Sequence, residues 1–435
     1  MTTAVRDARH RGPLRPVGPP PAPPRAPVRE RLMEAFFRAA VAPLPIRVAL
    51  PGGERLGRGG PDAPVMRVVR PEVFFRRMGV VGPVGFGEAY MAGDWTSTDL
   101  AGLLTPFAAR LNKPVNRPLA RARRLVDHPR PAAERNTVAA AAGNVSHHYD
   151  LPPEFFSLFL DESMTYSSAW YGPEGADELR AGELPAGELR AGEPDADELH
   201  AAQRRKIDTV LDRAGVGPGV RMLEIGSGWG ALATAAALRG ADVTTVTLSG
   251  EQAAATRRRF DAAGVGGRAR AETRDYRTVT GRYDAVVSVE MIEAVGAEYW
   301  AEYFAALGRL TAPGGRIVLQ AITMPHDRML ATKDLHSWIQ KYIFPGGQIP
   351  SLRAVEEHVA RTGTLRVTDR RSLGADYART LRDWRRRFLA NADQVAALGF
   401  DEPFRRMWEF YLAYAEAGFR SAYLDCWQLR LDRVP

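Results

Sequence analysis

The segment that decides the fold is Glu224-Ile225-Gly226-Ser227-Gly228-Trp229-Gly230, which joins an apolar run over 220–225 to an alanine-rich run over 231–239. A short apolar run that ends at glycine predicts a buried strand, and the alanine-rich run predicts a helix. Glycines at such a turn let the backbone approach a ligand closely, and the helix N-terminus favours negative charge. The segment therefore predicts the first strand, turn and helix of a ligand-binding sheet.

The residues that follow continue this alternation of strands and helices. Strands are predicted over 242–248, 283–289 and 316–322, and helices over 201–214, 250–263 and 297–310. Strands that alternate with helices indicate a parallel sheet with helices on both faces. The predicted fold class is therefore α/β, with a doubly wound sheet.

The spacing of the glycines bears on the kind of cofactor. Gly226, Gly228 and Gly230 form Gly-x-Gly-x-Gly, whereas dinucleotide folds have Gly-x-Gly-x-x-Gly and an acid about 20 residues later. Here that later position holds Thr247-Leu248-Ser249. Both features argue against a nicotinamide cofactor. The acid before the glycines, Glu224, suits the aminoacyl end of S-adenosylmethionine.

Composition limits the remaining function classes without choosing among them. The chain has 435 residues, a formal net charge of +8 and one cysteine, Cys426. A basic surface is compatible with nucleic acid, with anionic lipid headgroups or with simple solubility. One cysteine excludes an intramolecular disulfide, and the absence of a Cys/His cluster predicts no metal site.

The sequence also predicts where the protein works. It has no run of about 18 apolar residues and no apolar core of a secretory signal at its N-terminus. The low cysteine content fits a reducing compartment. We therefore expect a cytoplasmic protein that contacts the inner face of the membrane only peripherally, and the sequence leaves open assembly into a homo-oligomer.

Composition changes along the chain divide it into segments. Residues 1–28 are rich in Pro and Arg and predict a disordered tail. Residues 29–134 predict a small N-terminal domain followed by a basic connector, and 135–435 predict the main domain. Within the main domain, 172–197 contains three Glu-Leu-x-Ala-Gly units and predicts a solvated acidic insertion.

Several motifs in a fixed order give the chain a family resemblance. From about Asn144 to Arg430 it resembles the cyclopropane fatty acid synthases and mycolic acid methyltransferases. This resemblance implies a Rossmann-like, S-adenosylmethionine-dependent methyltransferase domain. The motifs are His148-Tyr149-Asp150-Leu151, Tyr166-Ser167-Ser168-Ala169, Thr247-Leu248-Ser249-Gly250-Glu251-Gln252, Glu290-Met291-Ile292-Glu293-Ala294-Val295-Gly296, Lys341-Tyr342-Ile343-Phe344-Pro345-Gly346-Gly347 and Gly374-Ala375-Asp376-Tyr377.

The resemblance implies a set of residues that bind the cofactor. They lie on four segments, of which the glycine turn and the following strand end were also identified from the residues themselves. The set is Tyr166, Ser167, Glu224, Gly226, Gly228, Gly230, Thr247, Leu248, Ser249, Gln252, Tyr276 and Arg277.

The same resemblance implies a methyl acceptor, an unsaturated acyl chain carried on phospholipid. We expect residues 324–372, which follow the last predicted strand, to form the cover over this chain. Methyl transfer to an isolated double bond leaves a carbocation, which aromatic faces can stabilise. The candidate aromatic residues are Tyr166, Trp170, Trp338, Tyr342, Phe344 and Tyr377.

A base must then remove a proton from the product. In the family a bound bicarbonate ion does so, held by Cys, Glu, His, an Ile backbone and Tyr. The matching positions here are Ser168, Glu293, Gln320, Ile322 and Tyr377. We expect Glu293, with Tyr377 as its partner, to hold the base or accept the proton. Because Ser168 and Gln320 replace Cys and His, the presence of the ion and the fate of the cation stay open.

Two products are compatible with the same first step. Loss of a methyl proton closes a cyclopropane ring, whereas a hydride shift before proton loss leaves a mid-chain methylene branch of the 10-methylene octadecanoyl type. The changes at Ser168 and Gln320 favour the branch.

Two rival functions are a small-molecule methyltransferase acting on oxygen or nitrogen, and a nucleic-acid-binding protein with a degenerate cofactor fold. The second would use Arg204, Arg205, Arg257, Arg258 and Arg259, although the chain has no recognised nucleic-acid module.

Overall fold

The structure is a computed structural model that describes residues 17–112, 131, 151–172 and 196–434. The predicted domain boundary near residue 134, most of the basic connector and the acidic insertion lie outside the described residues. So does His148-Tyr149-Asp150, the first part of one family motif.

The N-terminal part forms a small sheet flanked by helices. Its elements are α1 (Pro27–Val41), β1 (Arg47–Ala49), β2 (Arg55–Leu56), β3 (Val65–Val68), α2 (Pro71–Val81), α3 (Val84–Met91), β4 (Trp95–Thr96) and α4 (Leu100–Leu111). The strand order is β2-β1-β3-β4, with β1 and β3 parallel.

The predicted disordered tail is wrong for residues 17–28. Helix α1 already begins at Pro27, and before it the Gly18 backbone N–H donates to the Asp401 carboxylate at 2.8 Å. The buried Arg77 guanidinium donates hydrogen bonds to the carbonyls of Pro20 and Pro21, at 3.1 and 2.8 Å. A proline-rich stretch cannot form its own backbone ladder, so its carbonyls remain available to such a donor.

The main domain is built on a seven-stranded sheet. Its strands are β5 (Arg221–Ile225), β6 (Asp242–Thr247), β7 (Ala269–Thr273), β8 (Tyr283–Val289), β9 (Thr311–Thr323), β10 (Leu365–Ser372) and β11 (Asp425–Arg433). They lie in the order β10-β11-β9-β8-β5-β6-β7. All neighbouring pairs from β9 to β7 are parallel, and β11 runs antiparallel between β9 and β10. The predicted α/β class and doubly wound sheet are confirmed.

Helices cover both faces of this sheet and its carboxyl edge. They are α5 (Pro153–Ser157), α6 (Ala196–Ala214), α7 (Ala231–Leu238), α8 (Gly250–Ala262), α9 (Trp300–Leu310), α10 (His326–Thr332), α11 (Trp338–Tyr342), α12 (Leu352–Arg361), α13 (Gly374–Ala390), α14 (Ala392–Ala397) and α15 (Glu402–Arg420). Each strand and helix predicted in this domain is present, within a few residues of its predicted bounds.

Three strands were not predicted: β7, β10 and β11. The edge strand β10 has the sequence Leu-Arg-Val-Thr-Asp-Arg-Arg-Ser, and most of its side chains are exposed, so it shows no apolar alternation.

The segment 324–372 was predicted as a cover over the acyl chain. That is wrong for 352–372, because α12 buries Val355 and Val359 in the core beside the sheet and leads into β10.

The N-terminal elements share a core with the main domain. Phe74 and Trp95 belong to the same buried cluster as Trp338 of α11 and Trp408 of α15. A Cβ at Gly87 would lie 2.6 Å from the Trp338 ring, so glycine is required for this close approach. The N-terminal part is therefore packed onto the helices that surround the carboxyl edge of the main sheet.

Candidate active site

A cavity lies at the carboxyl ends of β5, β6 and β8, where the strand order reverses and where folds of this class bind ligands. Ten of the twelve residues predicted to bind the cofactor line it. They are Tyr166, Ser167, Glu224, Gly226, Gly228, Thr247, Leu248, Gln252, Tyr276 and Arg277. Segments that are far apart along the chain therefore bring most of the predicted residues to one cavity.

The glycine turn provides the floor of the cavity. Gly226 and Gly228 have φ angles of +96° and +47°, a region that favours glycine. A Cβ at Gly228 would meet no atom within 4 Å, so this position faces open space. Gly230 differs, because a Cβ there would lie 2.9 Å from the Thr256 side chain of α8. Gly230 thus permits packing between α7 and α8 rather than contact with a ligand, which corrects its predicted role.

Ser249 also has a different role from the predicted one. Its hydroxyl caps α8 by accepting a hydrogen bond from the Gln252 backbone at 3.2 Å, and it does not line the cavity. The cap positions the Gln252 side chain, which accepts a hydrogen bond from the Thr247 hydroxyl at 2.8 Å. Ser249 is therefore a structural residue that orients two cavity residues.

Glu224 and Lys206 are two buried titratable residues that line the cavity beside the glycine turn. The Glu224 carboxylate is buried and accepts a hydrogen bond from Thr245 at 2.6 Å. Burial raises the pKa of Glu224 to about 8 and lowers the pKa of Lys206 to about 8. Lys206 was not predicted; its Nζ donates to the Ser167 hydroxyl at 2.8 Å. The sequence did contain a signal for Lys206, because it is a lysine on the buried face of a predicted amphipathic helix.

The opposite wall of the cavity contains Tyr276 and Arg277. Asp275 holds the Arg277 guanidinium at 2.6 Å, and this guanidinium lies 5.6 Å from the centre of the Tyr276 ring. The Tyr276 hydroxyl and the Trp229 indole nitrogen are buried, and neither has a hydrogen-bond partner within the described residues. Both residues line the cavity, so its walls offer unsatisfied polar atoms to a bound polar ligand.

These observations fit S-adenosylmethionine. The open space at Gly228 admits a ligand against the backbone, Glu224 can face an ammonium group, and the two unsatisfied polar atoms can serve a polar ligand.

A second cluster of polar groups lies at the end of β8 and centres on Glu290. One carboxylate oxygen of Glu290, Oε1, accepts hydrogen bonds from the Ser168 backbone at 2.9 Å and from the Gln320 side-chain amide at 2.8 Å. The other, Oε2, accepts one from the Tyr377 hydroxyl at 2.6 Å. The Cys426 thiol lies 3.7 Å from Oε1. Burial raises the pKa of Glu290, while these donors act against the rise.

The structure thus brings Ser168, Gln320 and Tyr377 together but corrects their partner. The sequence analysis paired Tyr377 with Glu293, whereas Tyr377 contacts Glu290, three residues earlier. The Ser168 hydroxyl donates to the Ala169 carbonyl at 2.9 Å, so only its backbone N–H reaches the cluster. Gln320 is oriented by Gln428 of β11, whose amide donates to the Gln320 oxygen at 3.0 Å.

Glu293 and Ile322 form a separate contact beside this cluster. The Ile322 backbone N–H donates to Glu293 Oε1, and Glu293 Oε2 has no hydrogen-bond partner within the described residues. Burial, with the nearby charge of Glu290, raises the pKa of Glu293 to about 8, so this carboxyl group is protonated near neutral pH. Glu293 does not line the cofactor cavity, whereas Glu290 does.

Glu290 lies at the centre of this cluster and was not among the predicted site residues. Its φ angle is +50°, which is uncommon for a residue other than glycine and costs roughly 1–3 kcal/mol. Such conformations persist where surrounding contacts determine them, and they concentrate at functional sites. The signal available in the sequence was the motif Glu290-Met291-Ile292-Glu293 itself, which contains two acids of which only the second was assigned.

The candidate aromatic residues divide into two groups. Tyr166, Phe344 and Tyr377 lie around the site: Tyr166 exchanges a hydrogen bond with Tyr411 at 2.8 Å, and the Phe344 ring lies 5.7 Å from the Tyr411 ring. The others have structural partners. The Tyr342 hydroxyl donates to Glu88, Trp338 packs on Phe410, and Arg371 lies over Trp170.

Three of the five arginines assigned to the nucleic-acid rival donate to backbone carbonyls. Arg205 donates to the Trp170 carbonyl at 3.3 Å, Arg257 to the Ala271 carbonyl at 2.7 Å, and Arg259 to the Glu162 carbonyl at 3.3 Å. These contacts give the three side chains a structural role.

Comparisons with known proteins identify the family of the chain. Residues 136–429 match the family model of mycolic acid cyclopropane synthetase. The chain is 48% identical over 398 residues to the tuberculostearic acid methyltransferase UfaA1 of Mycobacterium tuberculosis, which covers 92% of this chain and 90% of that protein. It is 31% identical over 382 residues to the cyclopropane-fatty-acyl-phospholipid synthase of Escherichia coli, which covers 85% of this chain and 87% of that protein.

Solved structures give the same result. The cyclopropane synthase MmaA2 from Mycobacterium tuberculosis aligns with a TM-score of 0.57 and 31% identity over 67% of this chain and 98% of that one. The mycolic acid cyclopropane synthase CmaA1 in complex with S-adenosylhomocysteine (SAH) and CTAB aligns with a TM-score of 0.57 and 29% identity, with the same coverage. The chain therefore belongs to the mycolic acid cyclopropane synthetase family and is an S-adenosylmethionine-dependent C-methyltransferase.

Proposed function

We propose that this enzyme methylates the cis double bond of unsaturated fatty acyl chains in phospholipids and leaves a mid-chain methylene branch. The observation that carries the proposal is the identity of 48% with the tuberculostearic acid methyltransferase, which extends over 92% of the chain and so includes its N-terminal part. Identity with the relative that is named for ring formation is lower, at 31%. The alternative product on the same acyl chain is the cyclopropane ring.

Different residues of the cavity would contact different parts of the cofactor. The backbone of Gly226 and Gly228 and the Glu224 carboxyl group would hold the aminoacyl end of the cofactor. Thr247, Leu248 and Gln252, at the end of β6, would hold its ribose. When bound, S-adenosylmethionine supplies an electrophilic methyl group on a sulfonium.

The far end of the cofactor and its reactive end would contact different groups. Tyr276 and Arg277 would cover the end away from the glycine turn. Tyr166 and Ser167 border both the cofactor cavity and the aromatic cluster that includes Tyr411 and Trp384, whose rings can exclude water and face a cation. Such surroundings suit an apolar acceptor better than a polar small molecule.

Lipid analysis tests the proposal directly. In cells that contain oleoyl lipids and lack their own cyclopropane synthase, expression of this chain should convert oleoyl chains into a product larger by one CH₂ unit. Ring and branch products have the same mass. Ozonolysis separates them, because it cleaves a methylene branch to a ketone and leaves a ring intact. We expect the ketone; an intact product would establish the ring, and unchanged acyl chains would contradict the proposal.

A surface on α1 supports contact with an anionic membrane. Val28, Leu32 and Phe36 follow one another at intervals of four residues, and their exposed fractions are 71%, 67% and 50%. One exposed face of the helix therefore carries an apolar stripe that is parallel to its axis. Across the described ranges, every helix is too short or too polar to span a bilayer.

The charges around this stripe match a negatively charged surface. Arg25, Arg29 and Arg31 are exposed beside it. The two acids of the helix are paired within the protein: Glu30 accepts from Arg76 at 3.0 Å, and Glu34 from Arg38 at 2.8 Å. Basic groups near an anionic bilayer contribute roughly 1 kcal/mol each, and apolar side chains add to this when they enter the interface. We propose that α1 lies on the membrane and brings the site to its substrate.

The double variant Leu32→Ser/Phe36→Ser tests this surface. Its binding to anionic vesicles should weaken by more than about tenfold. An apolar side chain that leaves water for the interface contributes about 1.5–3 kcal/mol, and serine does not make this contribution. Vesicle sedimentation measures the effect, and binding of the unaltered protein should decrease with salt. Leu238→Ser on α7 is the matched control, because Leu238 is 65% exposed outside the stripe. Equal loss in both variants, or strong binding to neutral vesicles at high salt, would contradict the proposal.

A further inference from the structure

We infer that the carboxylate of Glu290 is the proton acceptor of this enzyme and stands where related enzymes hold a bicarbonate ion. The inference rests on the proposed methyl transfer to a double bond. It replaces an exchangeable ion with a group that is part of the chain. It also assigns a function to a side chain that neither the motif nor the glycine turn had indicated.

The hydrogen-bond donors of the site carry the argument. Four of the five positions that the family resemblance assigns to the ion offer a hydrogen-bond donor here, at Ser168, Gln320, Ile322 and Tyr377. Three of these donors bind the Glu290 carboxylate, at 2.6–2.9 Å, and the Ile322 N–H binds Glu293. A carboxylate has the same planar pair of oxygens as bicarbonate. The residues present therefore do not fit an additional anion, since each donor already has a carboxylate partner.

The geometry leaves Glu290 able to accept a proton. Oε1 receives the Ser168 and Gln320 donors, with the Cys426 thiol nearby, whereas Oε2 receives Tyr377 alone. An ionised carboxylate oxygen has two lone-pair directions, so Oε2 retains one. Glu290 lines the cofactor cavity, next to Met291, and so lies beside the place where the methyl group is transferred. Burial makes its carboxylate a stronger base than an exposed one.

The step assigned to Glu290 is one proton transfer. For the ring, a C–H bond of the newly attached methyl group breaks, and its electron pair forms a C–C bond to the cationic carbon. For the branch, a hydride first shifts from the methylated carbon to the neighbouring cationic carbon, which moves the cation to the methylated carbon. A methyl C–H bond then breaks, and its electron pair forms the C=C bond. The proton joins Oε2, which converts the carboxylate to the neutral acid, and then leaves to solvent before the next turnover. No oxidant, reductant or added ion is needed.

The first test removes the ion from the buffer. The unaltered enzyme should turn over at the same rate in bicarbonate-depleted and bicarbonate-supplemented buffer. Glu290→Gln should lose about 10²–10⁴-fold in kcat, the usual contribution of a positioned base. It should still bind SAH in calorimetry and keep its melting temperature. An enzyme that slows on depletion, or a Glu290→Gln variant at full turnover, would overturn the inference.

The variant Glu290→Gly gives a second and independent readout. It removes the carboxylate, frees the three donors and places glycine at a φ of +50°, which glycine tolerates. We expect this variant to bind added bicarbonate in calorimetry, whereas the unaltered enzyme should not. Its activity should increase with the fraction of enzyme that has bicarbonate bound. Ala422→Gly is the matched control, since Ala422 also has a positive φ, of +54°, and lies outside the cavity. It should show neither response.

These outcomes separate the inference from the function on which it rests. If the unaltered enzyme forms no product from any unsaturated acyl chain, the proposed function fails and the anion assays cannot apply. If it forms product and binds bicarbonate, the function stands and the assignment of Glu290 is wrong. Failure of Glu290→Gly to bind the ion, while folded, would show that the donors do not form an anion site.

Discussion

Replacing Gly228 with leucine is expected to weaken SAH binding by more than about 100-fold, or about 2.8 kcal/mol. The backbone of Gly228 faces open space in the cofactor cavity, where a Cβ would meet no atom within 4 Å. The leucine side chain would therefore be accommodated by the protein but would occupy the volume that the cofactor needs. Calorimetry with SAH measures the loss without requiring an acyl substrate.

A control is needed because leucine at a positive φ also strains the backbone. Gly264 has a φ of +68° and open space around its Cβ position, but it lies in the turn after α8 and outside the cavity. Gly264→Leu should therefore lose a similar amount of stability and retain SAH affinity. Undiminished binding by Gly228→Leu would remove the glycine turn from the cofactor site.

Replacing Tyr377 with phenylalanine is expected to lower kcat by about 10- to 100-fold, because a hydrogen bond to a charged group contributes about 1.5–3 kcal/mol. The Tyr377 hydroxyl donates to Glu290 Oε2 at 2.6 Å and thus positions the oxygen to which we assign the proton. The phenyl ring keeps the packing on Phe419, whose centre lies 4.5 Å away. SAH affinity should not change.

The pH profile distinguishes this positioning role from a loss of packing. The Tyr377 hydrogen bond lowers the pKa of Glu290, so its removal raises that pKa. The base acts in its ionised form, and activity is therefore lost as pH falls through the pKa. In Tyr377→Phe this acidic limb should move to higher pH. A uniform decrease in kcat with an unmoved limb would indicate damage to packing alone.

Glu293→Gln serves as the comparison variant. Because burial raises the pKa of Glu293 to about 8, its carboxyl group is neutral at neutral pH, and glutamine resembles that form. Its oxygen can still accept the hydrogen bond from Ile322. We expect a loss smaller than that of Tyr377→Phe and an unmoved acidic limb. A larger loss in Glu293→Gln would return the role of base to Glu293, as the sequence alone had predicted.

The sequence determined the fold and predicted most of the residues that line the cavity. The strand that ends at Ile225 is buried on both faces, so its apolar character is continuous and recognisable. The turn that follows requires glycine for backbone reasons, and these requirements are visible in a few adjacent residues. Ten of the twelve predicted cofactor residues line the cavity. Local pattern was sufficient for those at the ends of β5 and β6, where one segment supplies both the strand and the cavity wall. Tyr166, Ser167 and Tyr276 were predicted from the family resemblance alone.

Only the tertiary structure decided which acid lies at the centre of the reactive cluster. Glu290 and Glu293 are three residues apart in one motif, and nothing in that motif ranks them. The choice depends on the left-handed backbone at Glu290 and on donors from Ser168, Gln320 and Tyr377, which are 122, 30 and 87 residues away. Strand β11 contributes as well, since Gln428 orients Gln320 from 108 residues away. Such contacts arise only when the sheet is assembled, so their partners cannot be read from the spacing of residues along the chain.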